Sequence, residues 1–367
     1  MDRILGLLLC DCENPLADTP LLGLTCAGHV KAAMLAAGAD ADAFAQEELS
    51  PCAFNTVLCA AEHTPCIGDL RPLAALAKNG PAALLNAQGA PLAFALPADQ
   101  LEVFAEPLTL NLLMEAYGDH LQTMTALDEA DGTAVTDAES FAAAYRCLQG
   151  RIVKRHLQAG VIVLDPERTV IEADVEIGPG TMIYPGNTLQ GQTKIGAGCT
   201  LYPGNRMLDA KIGEQTTAEN SVLMQCAVGS HTTVGPFAYL RPQTAVGDHC
   251  RIGDFVEIKN SNIGDGTKVS HLTYVGDGDL GKQINLGCGV VFTNYDGKQK
   301  HRSVVEDHAF IGCNVNLIAP VHIGNAAYIA AGSTVDRDVP ADALFIARPE
   351  GVVKEGWVTR RREKGKL

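Results

Sequence analysis

The sequence predicts a mainly β protein: a parallel β-helix of hexapeptide repeats, preceded by a small α/β domain and a linker helix. The first observation is the period. From about Ile171 to Val335 the chain repeats every six residues, as in Ile171-Glu172-Ala173-Asp174-Val175-Glu176, Ile177-Gly178-Pro179-Gly180-Thr181-Met182 and Ile183-Tyr184-Pro185-Gly186-Asn187-Thr188. The second is what fills it. The first position is nearly always Ile, Leu or Val, the second is often Gly, and the fifth is small, as in Thr181, Thr193, Cys199, Thr232, Ala238, Thr244 and Cys250. A helix turns every 3.6 residues, so a strict period of six would scatter those aliphatics around its surface. A short-repeat β-helix keeps them in register. Each hexapeptide makes one flat side, three sides close a coil, and the first and fifth residues point inward. At about 4.8 Å between strands, roughly nine coils make a prism on the order of 45 Å long.

The elements follow in order. Residues 1–105 are Ala/Leu-rich and read as a small α/β domain. Ile4 to Leu9 is a buried strand, since its apolar run is too short for a signal peptide. His29 to Ala37 is a helix stopped by Gly38, and Thr56 to Ala60 a second strand. Pro81, Gly89, Pro91 and Pro97 break up the rest of this domain. Residues 106–160 form a helical linker. Thr136 with Glu139 makes a capping box, Phe141, Tyr145, Ile152 and His156 form an apolar face, and Gly160 ends the helix. Arg151, Lys154, Arg155 and His156 complement its C-terminal dipole. The β-helix occupies 161–340, with one longer loop from Thr293 to about Ser303; insertions in a solenoid leave on one face, often the binding face. Residues 341–367 are an extension ending in Trp357 and a basic tail.

Composition excludes some classes. The formal net charge of −15 argues against a nucleic-acid partner. No apolar run reaches the roughly 18 residues of a membrane span. Of the 12 cysteines, Cys199, Cys226 and Cys250 fall on the small fifth position and act as compact hydrophobes. Cys10-Asp11-Cys12 lacks the second pair a zinc site requires. The regular spacing of Cys52, Cys59 and Cys66 is read as coincidence. Reduced thiols in a cytoplasm are the expected state.

From about Asp137 to Trp357 the chain resembles the linker helix and acetyltransferase domain of bacterial bifunctional UDP-N-acetylglucosamine synthesis enzymes, which join a glucosamine-1-phosphate N-acetyltransferase to an N-acetylglucosamine-1-phosphate uridylyltransferase. The segments that carry the resemblance are Ala159 to Pro166, Leu240-Arg241-Pro242, Gly253 to Lys259, His271 to Asp277, Asn294-Tyr295-Asp296-Gly297, Ile329 to Thr334 and Ile346-Ala347-Arg348. The resemblance implies a left-handed β-helix, against the general right-handed crossover rule. It also implies a cytoplasmic homotrimer with active sites between subunits. The implied reaction moves acetyl from acetyl-CoA, the acyl-donor substrate, to the amine of glucosamine 1-phosphate, and needs no metal.

The residue chemistry agrees with that reaction. An amine attacking a thioester must lose a proton, and a neutral imidazole suits that task. By the resemblance His271 is the general base, and Glu257 is expected to orient or polarise it. A lone histidine outside such a motif is usually structural. A sugar phosphate needs cationic and neutral donors; Arg241 and Lys259 match the family's phosphate side, Tyr274 and Asn285 its sugar contacts. Asn294 and Tyr295 match acetyl-CoA contacts, Lys300 and Arg348 are placed to meet the CoA phosphates, and Ala331 matches a backbone contact to the cofactor arm. Outside the motif, such polar residues would be read as surface.

The chain also departs from the family pattern. Gly287-Cys288-Gly289-Val290 stands where the family has Gly-Ala-Gly-Thr, Cys313 replaces a Ser near the thioester, and Ser270 replaces a Gly before His271. These changes bear on acyl-group choice and turnover rate more than on CoA binding, and Cys288 and Cys313 are read as fillers among the cofactor-binding positions rather than as nucleophiles. At the front, about 105 residues stand where the family's uridylyltransferase half runs to well over 200. The first strand leads into Cys10-Asp11-Cys12-Glu13-Asn14-Pro15 rather than a glycine-rich phosphate loop. A degenerate nucleotidyltransferase-like domain without uridylyltransferase activity is expected. Two alternatives remain open: another acyl group or amino-sugar acceptor on the same scaffold, or a catalytically silent structural or regulatory trimer.

Overall fold

The structure, a computed structural model, describes residues 4–9, 16, 19–40, 56–61, 64–100, 109–126, 132 and 134–366. The segment from Cys10 to Pro15, and Cys52, lie outside the described residues. The chain divides into two compact units, Met1–Glu176 with Thr188–Thr193, and Ile177–Asn187 with Lys194–Leu367.

The first unit is built on a mixed sheet. Its strands are β1 (Ile4–Leu9), β2 (Thr56–Ala61), β3 (Ala82–Leu85), β4 (Pro91–Pro97) and β5 (Gln122–Thr125), in the order β1-β2-β4-β3-β5. β1 and β2 are parallel, as are β3 and β5, while β4 runs antiparallel to both neighbours. Alternate residues feed two cores. Leu58, Ala93 and Ala95 pack on one side with Val30 and Met34 of α1 (Cys26–Ala36) and Leu73 of α2 (Arg71–Leu76). Val57, Cys59, Phe94 and Leu96 pack on the other side with Leu110 and Leu113 of α3 (Leu110–Tyr117). Burial on both faces explains why these strands read as unbroken apolar runs. Pro91 and Pro97, expected to interrupt structure, are the two end residues of the central strand β4. A proline at the first position of a strand costs the ladder little.

The linker helix α4 spans Ala138–Gln158. Its N-cap is Asp137, one residue beyond the expected Thr136. The Ser140 amide donates to Asp137 Oδ1 at 2.8 Å and Ser140 Oγ accepts from the Asp137 amide at 3.0 Å, so Ser140 takes the part expected of Glu139. The buried row is Ala144, Leu148, Ile152, Val153 and His156, with Phe141 and Tyr145 only half-buried. Arg155 and His156 stand in the last turn as expected, and the basic cluster makes further contacts. Arg151 donates to Ile67 O at 3.0 Å and Arg155 to Ala173 O at 2.8 Å. His156 is buried, and that burial, with nearby Arg155, pushes its imidazole down to about 4.

The hexapeptides make a parallel β-solenoid of three sheets, with ten, nine and eleven strands. Position one fills the interior; Ile183, Leu201, Leu223, Leu240, Ile258 and Val275 are fully buried. Position two is glycine because the next coil passes directly over it. A Cβ on Gly178 would lie 2.5 Å from the Ala197 amide nitrogen, and one on Gly213 2.5 Å from that of Ser230. Position five is small and also carries a donor. Thr181, Thr216, Thr232 and Thr267 donate their hydroxyls to Gly196, Gly229, Gly247 and Gly281 carbonyls at 2.7 to 2.9 Å. Cys199 and Cys250 donate their thiols to Gly213 and Gly264 carbonyls in the same way. The loop spans 294–302, between strands Val291–Thr293 and Ser303–Val305. The solenoid does not stop at Pro340: Leu344–Phe345 pairs with Tyr328–Ile329, and a helix, α5 (Trp357–Glu363), comes after it.

Candidate active site

Each coil turns sharply at residues with left-handed backbone. Phe237, Phe255 and Leu272 occupy one corner of successive coils at φ 61, 55 and 47°, and Gln243, Asn260 and Asp277 the next at φ 64, 47 and 53°. The candidate site uses the residues beside these two corners.

His271 is the last residue of strand Lys268–His271, just before Leu272, and Asp254 is the last of Arg251–Asp254, just before Phe255. The strands pair in register with Asp254 opposite His271. Nδ1–H of His271 donates to Asp254 Oδ1 at 2.5 Å, with the two side chains 51% and 35% exposed. In the neutral ring this contact keeps the proton on Nδ1 and the lone pair on Nε2. The hydrogen bond from His271 holds the Asp254 carboxyl below the usual carboxylate range. Buried Thr273 donates its hydroxyl to the His271 carbonyl at 2.7 Å and fixes the backbone around the corner.

The carboxylate that meets His271 is thus Asp254, not Glu257 as the sequence suggested. Glu257 is opposite Tyr274 instead, and its Oε1 accepts from Arg241 Nη1 at 2.8 Å. That hydrogen bond holds the Arg241 guanidinium even more firmly protonated.

The remaining coils continue the His271 row. The Gly289 amide donates to His271 O at 3.3 Å, Asn314 to Cys288 O at 2.8 Å and Gly332 to Cys313 O at 2.8 Å. His271, Cys288, Cys313 and Ala331 thus stand on one edge of successive coils. The row presents small side chains beside the imidazole. Arg348 is exposed beyond it, and its Cδ would lie 3.7 Å from a Cβ on Gly332. Asn285 belongs to the same sheet as His271, opposite Lys268 and Phe310.

The second cluster lies at the other end of the flat side Tyr274–Gly276, about 10 Å along at the usual strand rise. Asp277 is its hub. Buried in the corner, it accepts from Asn260 Nδ2 on Oδ1 and from Asn294 Nδ2 on Oδ2, both at 2.5 Å, and stands 3.5 Å from Lys259 Nζ. Burial acts to raise its carboxyl, but the two amides and Lys259 outweigh it and hold the group below the carboxylate range. The Tyr274 hydroxyl and the Asn294 amide converge over Gly276; a Cβ there would lie 2.4 Å from one and 2.6 Å from the other. Lys300 reaches this cluster from the loop. Contact with Lys259 depresses the Lys300 ammonium, and proximity to Arg241 adds to the effect. The structure thus brings Lys300, expected at the CoA phosphates, beside the phosphate-side residue Lys259. Tyr295 is exposed, with its hydroxyl on Gly297 O at 2.8 Å.

Sequence reasoning missed Asp254 and Asp277 as site residues, although both lie in motif segments. Among the described residues no group of three or more His, Cys, Asp or Glu is arranged to hold a metal ion, and no helix is long and apolar enough to cross a membrane.

Comparison with known proteins places the likeness in the C-terminal, repeat-bearing part. The bacterial transferase hexapeptide model (six repeats) matches residues 225–260 and 302–337. The chain is 46% identical over 253 residues to the bifunctional protein GlmU of Acetivibrio thermocellus, covering 69% of this chain and 55% of that one. It is 53% identical over 216 residues to the GlmU of Clostridium acetobutylicum, covering 59% and 47%. Among solved structures, an Arabidopsis UDP-N-acetylglucosamine acyltransferase overlaps with a TM-score of 0.26 at 19% identity, covering 57% of this chain and 76% of that one. The chain spans about half the length of the curated relatives it matches.

Proposed function

We propose that the chain is an acetyl-CoA-dependent N-acetyltransferase acting on glucosamine 1-phosphate, working as a cytoplasmic homotrimer with sites between subunits. The observation that carries this reading is the Asp254–His271 pair at the head of the row Cys288, Cys313, Ala331, with a cationic cluster at the other end of one flat side. In this reading the neutral sugar amine attacks the thioester carbonyl, and Nε2 of His271 takes the proton that its nitrogen sheds as the C–N bond forms. The tetrahedral intermediate collapses, the C–S bond breaks, and the proton passes from the imidazolium to the departing CoA thiolate. Asp254 stabilises the transient imidazolium and holds the ring in the productive tautomer. Arg241, Lys259 and Lys300 receive the acceptor phosphate, and Tyr274 and Asn285 the sugar. Asn294, Tyr295, Ala331 and Arg348 serve the acyl donor, with Cys288 and Cys313 packing beside its thioester.

Uridylyltransferase activity is absent in this proposal, because the first strand leads into Cys10 to Pro15 rather than a glycine-rich turn able to wrap phosphates. The decisive experiment follows CoA release from acetyl-CoA with glucosamine 1-phosphate, comparing the native chain with His271→Ala. Release that does not depend on His271 overturns the assignment. UTP-dependent pyrophosphate release from N-acetylglucosamine 1-phosphate would overturn the loss of the second activity.

A further inference from the structure

The loop 294–302 is tied to the solenoid at both roots by two carboxylates of one coil. At the first root, Asn294 Nδ2 donates to Asp277 Oδ2. At the second, Arg302 forms a two-toothed pair with Asp279, Nε to Oδ2 at 2.8 Å and Nη2 to Oδ1 at 2.6 Å. The same guanidinium donates to Asn260 O at 3.1 Å and to Gly278 O at 3.3 Å, and Asp279 is steadied by Asn262 Nδ2 at 2.7 Å. Between the roots the loop closes on itself. Asp296 Oδ1 accepts from the Lys298 and Gln299 amides at 2.7 and 2.8 Å, its Oδ2 meets His301 Nε2 at 2.7 Å, and Tyr295 bridges to Lys300.

This bracing has a consequence for Lys300. Two ammonium groups side by side repel, and a free loop would swing Lys300 into solvent. Here the loop is held so that Lys300 stays with Lys259, near Arg241. A dianion between them relieves the repulsion, whereas a neutral ligand does not. Only arginine suits the second root. Its planar fork grips both Asp279 oxygens and still reaches two carbonyls, which a lysine ammonium cannot do.

We propose that Arg302 and Asp279 are positioning residues that set Lys300 for the acceptor phosphate and so determine selectivity for a phosphorylated over an unphosphorylated amino sugar. The proposal rests on the acceptor reading above. The test uses the full chain with Arg302→Gln, Lys300→Gln and the double variant, assayed with glucosamine 1-phosphate and with glucosamine. Arg302→Gln raises KM for the phosphorylated acceptor by about tenfold or more, in line with loss of one charge-assisted contact, and leaves kcat, KM for acetyl-CoA and KM for glucosamine within about twofold. The double variant is no worse than Lys300→Gln, because Arg302 acts through Lys300. Equal losses on both acceptors, or additive losses in the double variant, overturn the proposal. Calorimetric binding of glucosamine 1-phosphate separates the two levels. Native protein that does not bind it sinks the acceptor reading and this proposal with it, whereas native binding that Arg302→Gln leaves unchanged sinks the positioning role alone.

Discussion

Asp254 and His271 face each other across adjacent coils, 17 residues apart in sequence and 2.5 Å apart at Oδ1 and Nδ1. The pair has the arrangement of a base and its orienter. If it works as one, His271→Ala lowers kcat by about 10²–10⁴-fold, the usual contribution of a positioned general base. Asp254→Asn keeps the shape but removes the charge, and lowers kcat by on the order of 10²-fold with little change in either KM. Glu257→Gln, in contrast, acts through Arg241 and changes KM for the acceptor. Steady-state kinetics of the three variants checks the assignment. A loss of kcat with Glu257→Gln equal to that of Asp254→Asn would refute it.

Lys300 predicts a pH dependence of phosphate binding. Lys259 beside it, and Arg241 near it, depress its ammonium. A depressed lysine is charged below its folded pKa and neutral above it, so affinity for a phosphorylated sugar is full at lower pH and declines as pH rises through that value, earlier than for an ordinary lysine. N-acetylglucosamine 1-phosphate is the suitable ligand, since it has no amine to titrate. Above about pH 7 its phosphate is already a dianion. Binding measured between pH 7 and 10 weakens in the native chain. In Lys300→Arg, which stays charged throughout, the decline moves to higher pH. Identical profiles would rule out Lys300 as the titrating group.

The six-residue period made the solenoid readable, because no other element tolerates that spacing of buried aliphatics. The row was readable in part: His271 and Ala331 stand in the motif segments, Cys288 and Cys313 at departures from the family pattern, and the pairing of successive coils sets the four one above another. The carboxylate that pairs with His271 was harder. Glu257 and Asp254 lie three residues apart in one segment, and only the pairing of Asp254 with His271 and of Glu257 with Tyr274 separates them. Arg302 and Asp279 were hidden for another reason. The loop lies between them, so their 23-residue separation matches no coil length. In the first unit, Pro91 and Pro97 look like breakers until the pairing of β4 shows them at its two ends.

The cysteines are expected to differ in reactivity according to burial. Burial pushes the Cys59 and Cys226 thiols up to about 12, and also raises those of Cys199 and Cys250. A thiol that does not ionise is not alkylated. Cys313 is exposed and Cys288 half-buried. Brief iodoacetamide treatment of the folded chain at pH 8, read by peptide mass spectrometry, labels Cys313 ahead of Cys288 within the row, and leaves Cys59 and Cys226 unmodified. Acetyl-CoA slows labelling of Cys288 and Cys313 by about tenfold if the donor covers the row, as expected for a site at roughly 90% occupancy. Labelling at either residue that ignores saturating acetyl-CoA would remove it from the donor site.

Thr232 tests what holds the coils together. Its hydroxyl donates to Gly247 O at 2.9 Å and accepts from the Cys250 amide at 3.0 Å, so one buried oxygen links two coils in both directions. Valine has nearly the same shape and neither function. Thr232→Val leaves a buried carbonyl and a buried amide without this partner and costs about 1–3 kcal/mol. Thr232→Cys costs less, because a thiol still donates, as Cys199 and Cys250 already do at this position. Thr232→Ser keeps the oxygen and loses one methyl, about 1 kcal/mol. Denaturant unfolding therefore ranks the valine variant as the least stable of the three. If valine matches or exceeds serine, the fifth position is chosen for volume alone and the hydroxyl ladder contributes nothing to coil stacking.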